Sequence, residues 1–153
     1  MSELKITYQL LDDWKQLSAA DVHLVERAYA ISEDAYAPYS NFKVGAAVLL
    51  DNDQVVVGSN QENIAFPSGL CAERVALFHV GSNYPNQKVV KIAIVAKGDL
   101  VPMEKILSPC GGCRQVMLET ETRQNAVYEV ILVSQNGKAL IFNAASDLLP
   151  FAF

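Results

Sequence analysis

Apolar and small residues at Val22, Val25, Ala28, Tyr29 and Ser32 recur at the spacing of one helix face, and Ser18-Ala19-Ala20-Asp21 before them reads as an N-terminal capping box. A first helix is therefore predicted to about Ala37, where Pro38 stops it. The runs Phe42 to Leu50 and Gln54 to Gly58 are strand-like and flank Asp51-Asn52-Asp53, a hairpin turn. A second helix is predicted from Ser68 to about Val80, closed by Gly81, and an apolar strand follows from Val89 to Ala96. Ser108-Pro109 reads as the cap and first position of a third helix reaching about Glu121. Two last strands, Tyr128 to Ser134 and Lys138 to Asn143, flank Gln135-Asn136-Gly137, whose Asn-Gly pair signals a tight turn. The order α-β-β-α-β-α-β-β predicts one layered α/β domain over residues 1–153 around a mixed sheet of five strands.

Composition narrows this without redirecting it. A chain of 153 residues with 51% hydrophobic and 19% charged content is large and apolar enough to bury a core. The opening Met1-Ser2-Glu3-Leu4-Lys5 lacks a basic stretch leading into an apolar one, and no apolar run reaches the length of a membrane span, so a cytoplasmic protein is expected. A net charge of -5 presents a polynucleotide backbone with a field of the wrong sign; a small, near-neutral ligand suits it better.

The chemistry is concentrated in three cysteines, Cys71, Cys110 and Cys113, an odd number that makes no complete disulfide framework. All three fall at the openings of the second and third predicted helices. Free amide hydrogens and the positive dipole end there favour thiolate, the form that binds metal. Cys110 and Cys113 stand three apart and share a helix face, with only Gly111 and Gly112 between them. With Cys71 they supply three protein ligands, the pattern of a catalytic zinc whose fourth tetrahedral position stays open.

His79, eight residues beyond Cys71 on the same helix, lies too far along the axis to join them. His23 is a lone helical histidine, of a kind more often at a surface or in a core. Glu73, two residues from Cys71, points away from that sulfur, which makes it a poor ligand and a good proton carrier. Arg74 is placed to offset the net negative charge of zinc with three thiolates. By themselves, Glu73 reads equally as a solvated helix glutamate and Arg74 as a surface arginine.

At Cys71-Ala72-Glu73-Arg74 and Pro109-Cys110-Gly111-Gly112-Cys113 the chain resembles the cytidine deaminase family, with its Cys-Ala-Glu-Arg and Pro-Cys-x-x-Cys signatures. The resemblance continues through Tyr36 to Ala47 and Gly58 to Asn63, and covers most of the chain from the first helix to Phe153. It implies a three-layer α/β/α fold, one zinc per chain held by Cys71, Cys110 and Cys113, and Glu73 as the catalytic acid and base. The reaction implied is hydrolytic deamination of cytidine and deoxycytidine, a step of pyrimidine salvage.

By the same resemblance Asn60 and Glu62 hydrogen-bond the ribose hydroxyls, Phe42 packs against the nucleoside, and Ala72 borders it. The ending Leu148-Leu149-Pro150-Phe151-Ala152-Phe153 resembles the family's Leu-Leu-Pro-x-x-Phe and implies a homotetramer in which Phe153 lies over the base in a neighbour's pocket. Asn60 and Glu62 also read as loop caps, and Phe42 as a core aromatic. Phe66 stands where many members carry tyrosine, and the loop between the two signatures is longer than usual. Cysteine at position 71 points to the free-nucleoside branch, and Arg74 separates the chain from the blasticidin-type deaminases, the alternative reading. A closed structural zinc module, or a redox pair made of Cys110 and Cys113, leaves Glu73 without a role.

Overall fold

Among residues 1–152, which the computed structural model describes, six strands and three helices carry the chain. They are β1 (Tyr8–Leu11), α1 (Ala19–Ser32), β2 (Phe42–Leu50), β3 (Val55–Ser59), α2 (Ala72–Asn83), β4 (Val89–Gly98), α3 (Gly111–Gln124), β5 (Glu129–Val133) and β6 (Ala139–Phe142). The strands form one sheet in the order β1-β6-β5-β4-β2-β3. Every neighbouring pair is antiparallel except β4 and β5, whose parallel pairing requires the crossover that α3 provides.

Side-chain alternation along the strands sorts the core into two layers. Ala46 and Val48 of β2, Ile92 and Ile94 of β4, and Val130 and Leu132 of β5 face one way. They pack with Ala72, Ala76, Leu77 and Val80 of α2 and Met117 of α3. Their neighbours Ala47, Ala93, Val95, Ile131 and Val133 face the other way, onto Leu24, Val25 and Ala28 of α1. The result is the expected three-layer α/β/α arrangement. Two glycines set how closely the helices lie: a β-carbon on Gly45 would stand 1.9 Å from the Ala28 carbonyl oxygen of α1. One on Gly58 would stand 2.6 Å from the Ala76 nitrogen and 2.9 Å from the Ala72 oxygen of α2. The start of α2 thus rests directly on β3.

The boundaries depart from expectation where tertiary contacts take over the backbone. The sheet has six strands, not five, because Tyr8–Leu11 pairs with β6 at its edge. Tyr8 and Leu10 remain 54% and 50% exposed, so no buried alternation advertised that strand. α1 ends at Ser32, short of Ala37, because the Tyr36 N–H donates to the Asn60 carbonyl (3.0 Å) and the Tyr36 carbonyl accepts from Glu62 N–H (2.8 Å). α2 begins at Ala72, not near Ser68, since Leu70 and Gln61 exchange both backbone hydrogen bonds at 2.9 Å and hold that stretch extended. It also runs through Gly81 to Asn83.

α3 begins at Gly111, not at Pro109. Ser108 Oγ and the Pro109 carbonyl are both occupied by the Arg114 side chain, and Cys110 becomes the N-cap. α3 extends to Gln124 and ends on Asn125 in the left-handed region (φ 52°). No helix among the described residues is long and apolar enough to cross a membrane.

Candidate metal and substrate site

The later helix starts sharpen the placement of the cysteines. Cys71 and Cys110 are the N-cap residues of α2 and α3, and neither cap makes a side-chain hydrogen bond to its helix. Cys113 lies in the first turn of α3 and is buried. The free amides of both helices therefore raise the local positive potential where the sulfurs converge.

Cys71 Sγ lies 3.9 Å from Cys110 Sγ, and Cys110 Sγ lies 3.4 Å from Cys113 Sγ. All three sulfurs fall within 4.8 Å of one another. Tetrahedral zinc with sulfur ligands at about 2.3 Å requires sulfurs about 3.8 Å apart, so the set fits that ion in donor type, count and spacing. Among the described residues no histidine belongs to the cluster. His23 sits on the surface beside Glu26, and His79 is exposed beside Asn83. The Cys71 thiol is pulled down to about 5 by the hydrogen bond from Cys113 and by Arg74, while Cys113 is pushed up by the same sharing and by burial.

Glu73 follows in the first turn of α2, only 4% exposed, with its Oε2 atom buried and unpartnered. Burial pushes its carboxyl up to about 7, with the Cys71 sulfur adding to the effect. A carboxyl balanced near neutral pH can both take and return a proton. Arg74 Nη2 lies 3.8 Å from Cys71 Sγ, where the guanidinium offsets thiolate charge, and its Nε has no partner. The solvated reading of Glu73 is thereby displaced, while Arg74 is half-buried at the cavity.

Glu73, Cys71, Cys110 and Arg74 line one side of a cavity of about 680 Å³, within the range that holds a small-molecule ligand. Phe42 and Val44 of β2, Ile94 of β4, and Leu107 make its apolar wall. Asn60 and Glu62 line it too, and their side chains also organise the protein. Asn60 Oδ1 accepts from Val44 N–H (2.7 Å), and its Nδ2 donates to the Phe42 carbonyl (2.8 Å). Glu62 accepts from Tyr39 N–H (2.8 Å), Ser40 N–H (3.2 Å) and the Ser40 hydroxyl.

The sequence reading missed Ser40 as the partner that orients Glu62, although it lies inside the Tyr36 to Ala47 segment. Ala72, expected to border the nucleoside, is fully buried and is not among the residues that line the cavity. Phe66 is 75% exposed at the cavity rim, edge-on to Tyr39. Phe153 lies outside the described residues. Of the tail before it, Leu148 is buried and Phe151 is 84% exposed.

A family model described as the cytidine and deoxycytidylate deaminase zinc-binding region matches residues 18–129. A cytidine deaminase of Halalkalibacterium halodurans is 39% identical over 130 residues, covering 85% of this chain and 91% of the relative. One from Mycobacterium tuberculosis is 36% identical over 141 residues, covering 92% and 90%. A crystal structure of cytidine deaminase from Burkholderia pseudomallei superposes with a TM-score of 0.74 at 39% identity, covering 86% of this chain and 98% of the other.

Proposed function

The chain belongs to the cytidine deaminase family, and from that premise we propose that it hydrolyses cytidine and deoxycytidine to uridine and deoxyuridine with release of ammonia, using Cys71, Cys110 and Cys113 as zinc ligands and Glu73 as proton carrier. The carrying observation is Glu73 itself: a buried carboxyl with a free oxygen and a pKa near 7, in the same cavity as two of the three sulfurs. Zinc, when bound, supplies the Lewis acidity that makes water a nucleophile at neutral pH.

Glu73 then takes the proton of the attacking water, passes it to the ring nitrogen beside the amino-bearing carbon, and helps the amine leave as ammonia. Arg74 holds the charge of the sulfurs in check. Phe42 and its apolar neighbours give the base a dry wall, while Asn60 and Glu62 face the sugar side. Both Asn60 and Glu62 keep unused acceptor or donor capacity beyond their loop contacts, which supports a double role. The relatives named cytidine deaminase do not favour the blasticidin-type alternative.

Residues 1–153 act as one such domain, in the cytoplasm, within a homotetramer that shares its active sites. The apolar tail supports this assembly: Phe151 is exposed beside the buried Leu148, as a segment awaiting a neighbour would be. Purified protein incubated with cytidine, cytidine monophosphate and adenosine tests the reading, with ammonia and bound zinc as readouts. Ammonia from cytidine with one zinc per chain is expected. Turnover of adenosine alone, or zinc with no ammonia from any of the three, would overturn it.

A further inference from the structure

Of the three sulfurs, that of Cys110 is least held by packing. Cys113 is buried, and Cys71 is half-buried with Arg74 beside it. Cys110 is exposed, and Gly111 and Gly112 next to it have open space where a side chain would stand. Its sulfur nevertheless sits at ligand spacing from the other two. Metal sites need their donors held to a fraction of an ångström, so some contact other than apolar packing must fix this backbone.

We propose that Arg114 is the positioning residue for Cys110, locking the Ser108–Pro109 segment that delivers this sulfur onto the C-terminal turn at Leu148. The proposal rests on the reading of the three cysteines as zinc ligands. Arg114 lies one residue after Cys113, yet its half-buried side chain turns back past the start of α3. There Nε donates to the Pro109 carbonyl (2.9 Å), Nη2 to the Ser108 hydroxyl (2.5 Å) and Nη1 to the Leu148 carbonyl (2.9 Å). Each guanidinium nitrogen thus holds a different acceptor, and the planar fork fixes all three in one geometry.

Two of those acceptors immediately precede Cys110, whose own carbonyl accepts from Arg114 N–H (3.0 Å). Leu148 closes the short turn Ala145–Leu148, from which the apolar tail departs. The same turn is anchored separately: Glu121 of α3 accepts from Ala145 N–H (2.6 Å) and Ser146 N–H (3.1 Å) without touching the Ser108–Pro109 segment. Glu121 therefore supplies a comparison that disturbs only the Leu148 end of the clamp and leaves the Arg114 contacts to Ser108 and Pro109 in place.

The experiment follows zinc release from the purified holoprotein to a coloured chelator in excess, with melting followed by circular dichroism. Arg114→Ala is expected to release zinc about tenfold faster than wild type. Arg114→Lys should do nearly the same, since an ammonium cannot span three acceptors, and Ser108→Ala should show a smaller acceleration. Glu121→Gln should melt earlier and accelerate zinc release less than Arg114→Ala does, since it loosens one of the three anchor points and leaves the other two. If Arg114→Ala does not fold, Arg114→Lys and Ser108→Ala carry the test. Wild-type release rates in both of these, or equal acceleration by Glu121→Gln, would overturn the proposal alone. A wild-type protein without zinc by elemental analysis would overturn the ligand reading with it.

Discussion

The two helix starts that meet at the cavity are built by different means. α2 arrives by close packing: Gly58 lets its first turns lie on β3, and Ala72 and Ala76 are fully buried beneath it. α3 arrives by a polar clamp, with Arg114 gripping the segment before Cys110 while the flank at Gly111 and Gly112 stays open. The carboxyl proposed as proton carrier, Glu73, sits on the packed side. That division has a physical reason, since a carboxyl gains a pKa near 7 only where packing excludes water, whereas a thiolate ligand needs position more than burial.

The strongest way to break the comparison is at Glu73. Glu73→Gln keeps the volume and all three sulfurs but removes the proposed proton carrier, so turnover of cytidine should fall by about 10²–10⁴ or more. Zinc content by elemental analysis should not change. Activity within tenfold of wild type would move the acid-base role elsewhere.

Arg74→Gln should cost less, about 10–100-fold in activity or zinc affinity, because it alters the charge around Cys71 without removing a reacting group. Steady-state rates and chelator competition measured together check the ranking. A loss equal to that of Glu73→Gln would contradict it.

Alanine at two glycines contrasts the packed and open starts directly. Gly58→Ala drives a β-carbon into backbone atoms of α2 that cannot move aside, for a cost of about 1–3 kcal/mol and a melting temperature roughly 3–10 °C lower. Gly112→Ala meets open space and should stay within about 0.5 kcal/mol of wild type. Equal melting shifts would mean that both starts are packed alike.

The same contrast explains what the sequence disclosed. β2 stands at its expected bounds, and β4 to β6 lie within two residues of theirs, because buried strands write a local apolar run. The three cysteines and Glu73 were legible because their residue types and spacing are themselves the chemistry. Helix starts were not: Ser68 and Ser108 are good caps locally, but the extended pairing of Leu70 with Gln61 and the grip of Arg114 on Ser108 are long-range decisions. Arg114 carried no signal beyond being an arginine after a cysteine, since its role depends on Leu148, far along the chain.

The smallest expected effect lies in the Tyr39–Ser40 loop that lines the cavity, where the clamp is a carboxylate instead of a guanidinium. The hydrogen bond from the Ser40 hydroxyl, with those from the Tyr39 and Ser40 amides, holds Glu62 below the ordinary carboxylate range despite the opposing effect of burial. A depressed folded-state pKa contributes stability that is present above the unfolded value, about 4.3 for glutamate, and is lost as pH falls through the folded value. The Tyr39 and Ser40 amide resonances should therefore shift together with a midpoint below about 4.3, and should not show that transition in Glu62→Gln. Because Glu62 is only half-buried, the gain in global stability is small and screened, and a local readout is needed. Acid also protonates thiolates and releases zinc, so the titration is best compared with metal content measured at each pH. A midpoint at or above the ordinary glutamate value, or an identical transition in Glu62→Gln, would remove Glu62 as the clamp of this loop.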